Sequence, residues 1–199
     1  MKERFLEIYR ENIKRPGADK LLAWLETTDF FDAPASTKFH LSRPGGLVEH
    51  SIHVYERLRK LFNIEKYGDI STMAVFPEAE TIAICGLLHD ICKANFYGVE
   101  MRNRKNDQGK WEKYPFYVVN DQLPYGHGEK SVYIISGFMK LSREEAMAIR
   151  WHMGFSDNEF KAGGYSVGNA FEKFPLAVLT HIADLQATHL DEAGEEEQP

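Results

Sequence analysis

The run Ile82-Ala83-Ile84-Cys85-Gly86-Leu87-Leu88 is apolar on every side of a helix, and it ends on His89-Asp90. A helix that is apolar all round has no face to offer water, so other elements must enclose it. A charged aspartate at the end of such a run is costly unless something compensates it. The pattern therefore predicts a buried central helix over 78–93 with a polar site at its end. The dipeptide alone is weak evidence, because a capped helix terminus would look the same.

The rest of the chain supplies the enclosing layer. Short helices are expected over 3–14 and 18–27, broken at Pro16-Gly17, with loop over 30–46. A helix over 46–66 carries Leu47, Ile52, Val54, Leu58, Leu61 and Phe62 as a broad apolar face. Further helices are expected over 128–140 and 175–190. Ser142-Arg143-Glu144-Glu145 has the form of a capping box and should open one reaching about 152. The segment between breaks the pattern: alternating stretches flank Asp107-Gln108-Gly109, which predicts a β-hairpin over 98–120. The reading is all-α, a helical bundle with a small inserted β-hairpin, in one domain over 1–190. The 199 residues suffice for one sizeable core, and we find no internal repeat or long linker.

Charge and composition exclude several classes. The net charge is −6, but Asp191, Glu192, Glu195, Glu196 and Glu197 crowd the end, so the remainder is near neutral. Residues 191–199 read as an acidic, disordered, solvated tail. No basic face of the kind that grips duplex nucleic acid is indicated. No apolar run is long enough to span a bilayer, and MKERFLEIYRENIKR is too charged for a signal peptide, so a cytoplasmic protein without a membrane partner is expected. Cys85 and Cys92, if both lie on one helix, are about 10 Å apart along it, too far for a disulfide, and read as core residues. The oligomeric state is not legible.

Three segments put metal-capable side chains among apolar neighbours: His50 in PGGLVEHSIHV, His89-Asp90 in CGLLHDICK and Asp184 in LTHIADLQA. Imidazole with carboxylate suits divalent ions such as Fe, Mn, Ni, Zn or Mg. The other histidines are less informative. His53, one turn from His50, reads as packed or solvated, with an outer role near a metal as the alternative. His181, three residues before Asp184, reads as structural or as an outer partner near a metal, and His189 as solvent-exposed.

The order His50, His89-Asp90, Asp184 resembles the HD superfamily of metal-dependent phosphohydrolases. Lys93 completes an HDxxK pattern, and in many members that lysine faces the phosphate. GGLVEH over 45–50 and PLAVLTHIAD over 175–184 are similar to the HD domain of bacterial 3′-5′ exoribonucleases that join an OB-fold to an HD domain. The resemblance implies one or two divalent ions held by His50, His89, Asp90 and Asp184. His127 and His152 occupy the order of ligands to a second ion, as in two-metal phosphodiesterases and bacterial diadenosine tetraphosphate hydrolases. A turn residue and a helix-terminal cation are the plain alternatives for them. In the two-metal reading Asp90 bridges the ions and acts in catalysis, and Lys93 contacts a phosphoryl oxygen. His40 and Arg43, before the first ligand helix, are candidate substrate contacts.

The hairpin has no counterpart in that pattern. It carries Arg102, Arg104, Lys105, Lys110 and Lys113 against three acids, with Trp111, Tyr114, Phe116 and Tyr117 among them. Such a mixture suits phosphates and stacked bases, so Arg102, Arg104 and Lys105 are candidate substrate contacts on a lid. Simple alternation, with aromatics down and charges out, explains the mixture equally well. The chain leaves no room for an OB-fold and lacks the GYP triplet of cyclic-di-GMP phosphodiesterases. The expected activity is hydrolysis of a phosphate ester or anhydride in a nucleotide or short single-stranded oligonucleotide. The alternatives are a dinucleoside polyphosphate or deoxynucleotide hydrolase and, in another class, a non-catalytic metal-bound nucleotide sensor.

Overall fold

Phe5, Ile8 and Tyr9 form the buried side of α1 (Lys2–Asn12), and Leu21, Leu22 and Leu25 that of α2 (Ala18–Leu25). The apolar stripe expected over 46–66 is the inner face of α3 (Gly46–Tyr67), with Leu47, Ile52, Val54, Leu58 and Phe62 buried. Against it lies α4 (Ala79–Leu88), in which every residue from Ile82 to Leu88 is buried. The structure is a computed structural model and describes residues 1–67 and 78–193.

α3 and α4 meet with almost nothing between them. A Cβ added at Gly86 would lie 2.5 Å from the Cα of Tyr55. Only glycine lets the two backbones approach so closely. α4 is shorter than expected: Asp90 leaves helical geometry at φ −104°, ψ 17°, and Ile91–Lys93 forms one 3₁₀ turn. The break lets neighbouring residues face one point from different sides.

The inserted strands β1 (Tyr97–Lys105) and β2 (Trp111–Val119) pair antiparallel, with Tyr97 opposite Val119 and Lys105 opposite Trp111. Gly109, at φ +75°, closes the connecting loop. The hairpin departs from simple alternation. The Arg102 guanidinium lies 3.7 Å from the centre of the Phe116 ring, and that of Arg104 lies 4.9 Å from the Tyr114 ring. These cations share a face with the aromatics and cover them, as diagonal cross-strand neighbours can.

α5 (His127–Ser136) and α6 (Arg143–Arg150) follow. Ser142 accepts from the Glu145 backbone and Glu145 accepts from that of Ser142, so the expected capping box is present. A Cβ on Gly128 would lie 2.2 Å from the Arg150 carbonyl oxygen, a second backbone-to-backbone approach. α7 (Asn158–Lys161) and α8 (Ser166–Lys173) were not marked by the sequence pattern. α9 (Pro175–Gln186) opens on proline and packs on α3 and α6. It continues into one wider π turn, Ala187–Asp191.

That turn corrects the expected solvated tail at its first two residues. Asp191 pairs with Arg57, and Glu192 is 2% exposed, because the turn swings both back onto α3. Glu195, Glu196 and Glu197 lie outside the described residues. Among the described residues, no helix is long and apolar enough to cross a membrane.

Candidate metal centre

Five elements converge at the end of α4. α3 brings His50, the break after α4 brings His89 and Asp90, the first turn of α5 brings His127, the turn after α6 brings His152, and α9 brings Asp184. His40, His50, His89, His152 and His127 form a chain of imidazoles with successive ring centres about 5 Å apart.

Asp90 is the hub. Its Oδ2 lies 3.7 Å from the Nε2 of both His50 and His89, and its Oδ1 lies 2.8 Å from His127 Nε2 and 3.4 Å from His152 Nε2. The two carboxylate oxygens thus face two different pairs of imidazoles. His50 Nε2 lies 3.3 Å from Asp184 Oδ1 and 3.3 Å from His89 Nε2.

The outer ring nitrogens show which way the lone pairs point. His89 Nδ1 donates to the Gly86 carbonyl at 2.9 Å, and His152 Nδ1 donates to that of Ile149 at 2.6 Å. A carbonyl can only accept, so a neutral ring keeps its Nε2 lone pair turned inward. His50 Nδ1 donates to Glu192 at 3.0 Å, and His127 Nδ1 lies 3.4 Å from Cys92 Sγ. Asp90 Oδ1, His127 Nε2 and His152 Nε2 are buried and lack a hydrogen-bond partner despite their proximity. Close, inward-facing lone pairs are what a cation would satisfy, and outer N–H bonds are how proteins orient metal-binding imidazoles. Within the cluster, His50, His89 and Asp184 form one group that can hold an ion, His89, Asp90 and His152 another, Asp90, Cys92 and His127 a third, and His40, His50 and Glu192 a fourth.

Electrostatics express the same crowding. Burial opposes charge on His50, but Asp184 and Glu192 push its pKa up to about 10. Burial drives His89 down to about 3. Burial also opposes charge on Asp90, yet Lys93 and the surrounding histidines hold it well below the usual carboxylate range. His127 is raised to about 10 against burial by Cys92 and Asp90.

A cavity of about 600 Å³ opens over the cluster, and His40, His50, Asp90, Lys93, His127 and Asp184 line it. His89 and His152 are fully buried. Lys93 Nζ lies 2.6 Å from Asp90 Oδ2 and donates to the Ala35 carbonyl at 2.8 Å. His40 packs against His50, and its Nε2 is 3.9 Å from Glu192. Four other candidate substrate contacts are not brought to the cavity lining. Arg43 pairs with Glu49, and Arg102, Arg104 and Lys105 cover the hairpin's own aromatic rings. The lining also includes Phe96, just before β1, Lys130 from α5 and Lys161 from α7. His181 donates to the His152 carbonyl at 2.7 Å, and His189, although exposed, reaches the cavity rim.

Sequence reasoning missed Glu192, which it placed in the tail, and the contact of Cys92 with His127. No apolar residue signalled it, since Leu190, just before the acidic stretch, is itself exposed. Cys92, two residues from Asp90, carried no distinguishing signal.

A helical domain with this inward-facing His/Asp cluster defines a class of metal-binding hydrolases. The model of the HD domain family matches residues 47–188, so the chain belongs to that family. HD domains are generally metal-dependent phosphohydrolases. No curated protein and no solved structure matches the chain.

Proposed function

We propose that the protein is a two-metal phosphohydrolase acting on a phosphate ester or anhydride in a nucleotide or short oligonucleotide. One observation carries the reading: Asp90 turns one oxygen toward His50 and His89 and the other toward His127 and His152. A carboxylate placed this way could serve two ions at once. His50, His89 and Asp184 would hold one ion, and His127 and His152 the other. Bound divalent ions supply an acidified water and neutralise charge that builds on phosphoryl oxygens.

The chain's own residues supply the rest. Asp90, held ionised by its surroundings, offers negative charge to both positions at once. Lys93 sits at the cavity wall and would exchange part of its contact with Asp90 for a phosphoryl oxygen. His40, on the same wall, would contact substrate directly. The cavity has the size of a small-molecule site. The likeness of GGLVEH to the exoribonuclease group supports a phosphodiester. Arg102, Arg104 and Lys105 would act farther out, as a basic face for a substrate longer than a mononucleotide.

Purified protein supplied with Mn²⁺, Fe²⁺ or Ni²⁺ should cleave bis(p-nitrophenyl) phosphate or members of a nucleotide panel, and His89→Ala should abolish this. Chromatography of the products separates an oligonucleotide diesterase from a dinucleoside polyphosphate or deoxynucleotide hydrolase. No turnover with any of these metals, together with unaltered behaviour of His89→Ala, would end the proposal. Tight nucleotide binding without product would favour the sensor instead.

A further inference from the structure

Glu192 is a buried carboxylate that the chemistry above does not use. It is 2% exposed and comes from the π turn after α9. Its oxygens accept from His50 Nδ1 at 3.0 and 3.2 Å and from His53 Nδ1 at 2.9 Å. Two bonds between Arg57 and the adjacent Asp191 clamp the segment to α3. His50, His53 and Arg57 follow at spacings of three and four, so one stripe of α3 receives the whole segment.

The placement is specific. Eight residues of continuous α-helix would carry Glu192 about 12 Å along the axis beyond Asp184. Both carboxylates nevertheless touch one imidazole: Asp184 at Nε2, 3.3 Å away, and Glu192 at Nδ1. The π turn achieves this, and such turns in helices often mark functional positions.

We propose that Glu192 is a positioning residue for the metal centre, fixing His50 as the Nδ1–H tautomer with its Nε2 lone pair turned toward Asp90 and Asp184. The inference rests on reading His50 as a ligand. A neutral imidazole carries one N–H, and if that hydrogen sat on Nε2 the ring would have no lone pair for an ion. An ionised carboxylate cannot donate, so Glu192 selects the productive tautomer and makes the ring a stronger ligand. His53 and the Arg57–Asp191 clamp hold Glu192 in place. Outer partners of this kind are worth about 10–100-fold in metal affinity.

The test uses the full chain, stripped with a chelator and titrated with Mn²⁺ in a calorimeter, alongside melting of the metal-free protein. Glu192→Ala should weaken Mn²⁺ binding about 10–100-fold. Glu192→Gln should weaken it less, and Glu192→Asp should recover part of the loss by restoring the charge. Long-range ¹H–¹⁵N spectra of the Zn²⁺-loaded protein, in which the ion replaces the second ring proton, should show His50 protonated at Nδ1 in the wild type and as a mixture in Glu192→Ala. If the alanine variant does not fold, the isosteric Glu192→Gln carries the same measurements. Variants that melt earlier yet bind Mn²⁺ as tightly as wild type, with the His50 tautomer unchanged, would overturn the role of Glu192 and leave the centre intact. A wild type that binds no Mn²⁺ would overturn the reading of the centre, and this inference with it.

Discussion

Asp90→Asn exchanges one oxygen for an amide nitrogen in a residue that is 2% exposed. From sequence alone the expected result is loss of metal with the fold intact, since a bridging anion loses its charge. The structure adds a cost to folding. Lys93 Nζ lies 2.6 Å from Asp90 Oδ2, its side chain is 13% exposed, and its hydrogen bond to the Ala35 carbonyl brings no charge. Asparagine strands that ammonium in the interior. Removing one partner of a buried ion pair costs about 3–5 kcal/mol, and because the carboxylate's own desolvation is relieved we expect the lower end, about 3 kcal/mol. In a chain of this size about 1 kcal/mol moves the melting temperature by about 2–4 °C, so the metal-free variant should melt about 6–12 °C below metal-free wild type. Calorimetry of chelator-treated protein measures this, and elemental analysis of untreated protein measures the metal. Adding Lys93→Met to Asp90→Asn should restore most of the stability and none of the metal. A metal-free Asp90→Asn protein melting within about 2 °C of wild type would refute the ion-pair argument. Retained metal at wild-type stoichiometry would remove Asp90 from the ligand set.

Alanine at His127 or His152 should roughly halve the bound metal and lower kcat by orders of magnitude, because the first position keeps its own ligands; unchanged metal content would return both to a structural role. Gly86→Ala forces a Cβ to within 2.5 Å of the Tyr55 backbone and should cost about 3 kcal/mol, the upper part of the overpacking range, read as a lowered urea midpoint. Burial works against the charge on Glu145, yet Arg15, the Ser142 N–H and Thr81 hold its pKa below the ordinary 4.5. Its contribution to stability is therefore complete above about 4.5 and declines as pH falls toward the lowered value, so Glu145→Gln should lose less stability than wild type between pH 6 and 3.5. Arg102→Ala should raise KM for an oligonucleotide far more than for bis(p-nitrophenyl) phosphate, and equal effects on both would confine the hairpin to a structural role.

The central helix was legible because seven consecutive apolar residues leave no polar face. The convergence of His50, His89, Asp90 and Asp184 was legible through their order and apolar flanks. The capping box at Ser142 and the hairpin turn at Gly109 were equally local signals. What escaped depends on contacts distant in sequence. Glu192 lies 142 residues from the histidine it bonds, and its acidic neighbours made it look like solvated tail. The placement of Arg102 and Arg104 over Phe116 and Tyr114 depends on strand register, which composition does not carry. α7 and α8 are short, with no long apolar period to announce them, and of the two only α7 reaches the wall of the cavity.

The two glycine contacts also bear on which ions the centre can accept. Gly86 seats α4 on the backbone beside Tyr55, three residues before His89, and Gly128 seats α5 on Arg150, next to His127 and two residues before His152. The helices that carry each histidine pair are thus held main chain against main chain. If the proposed ions bind there, such a frame would favour some cations over others. In the metal reading proposed above, ions that bind nitrogen and oxygen at about 2.0–2.2 Å would suit the inward imidazoles better than Ca²⁺, which seeks six to eight oxygens at about 2.3–2.6 Å.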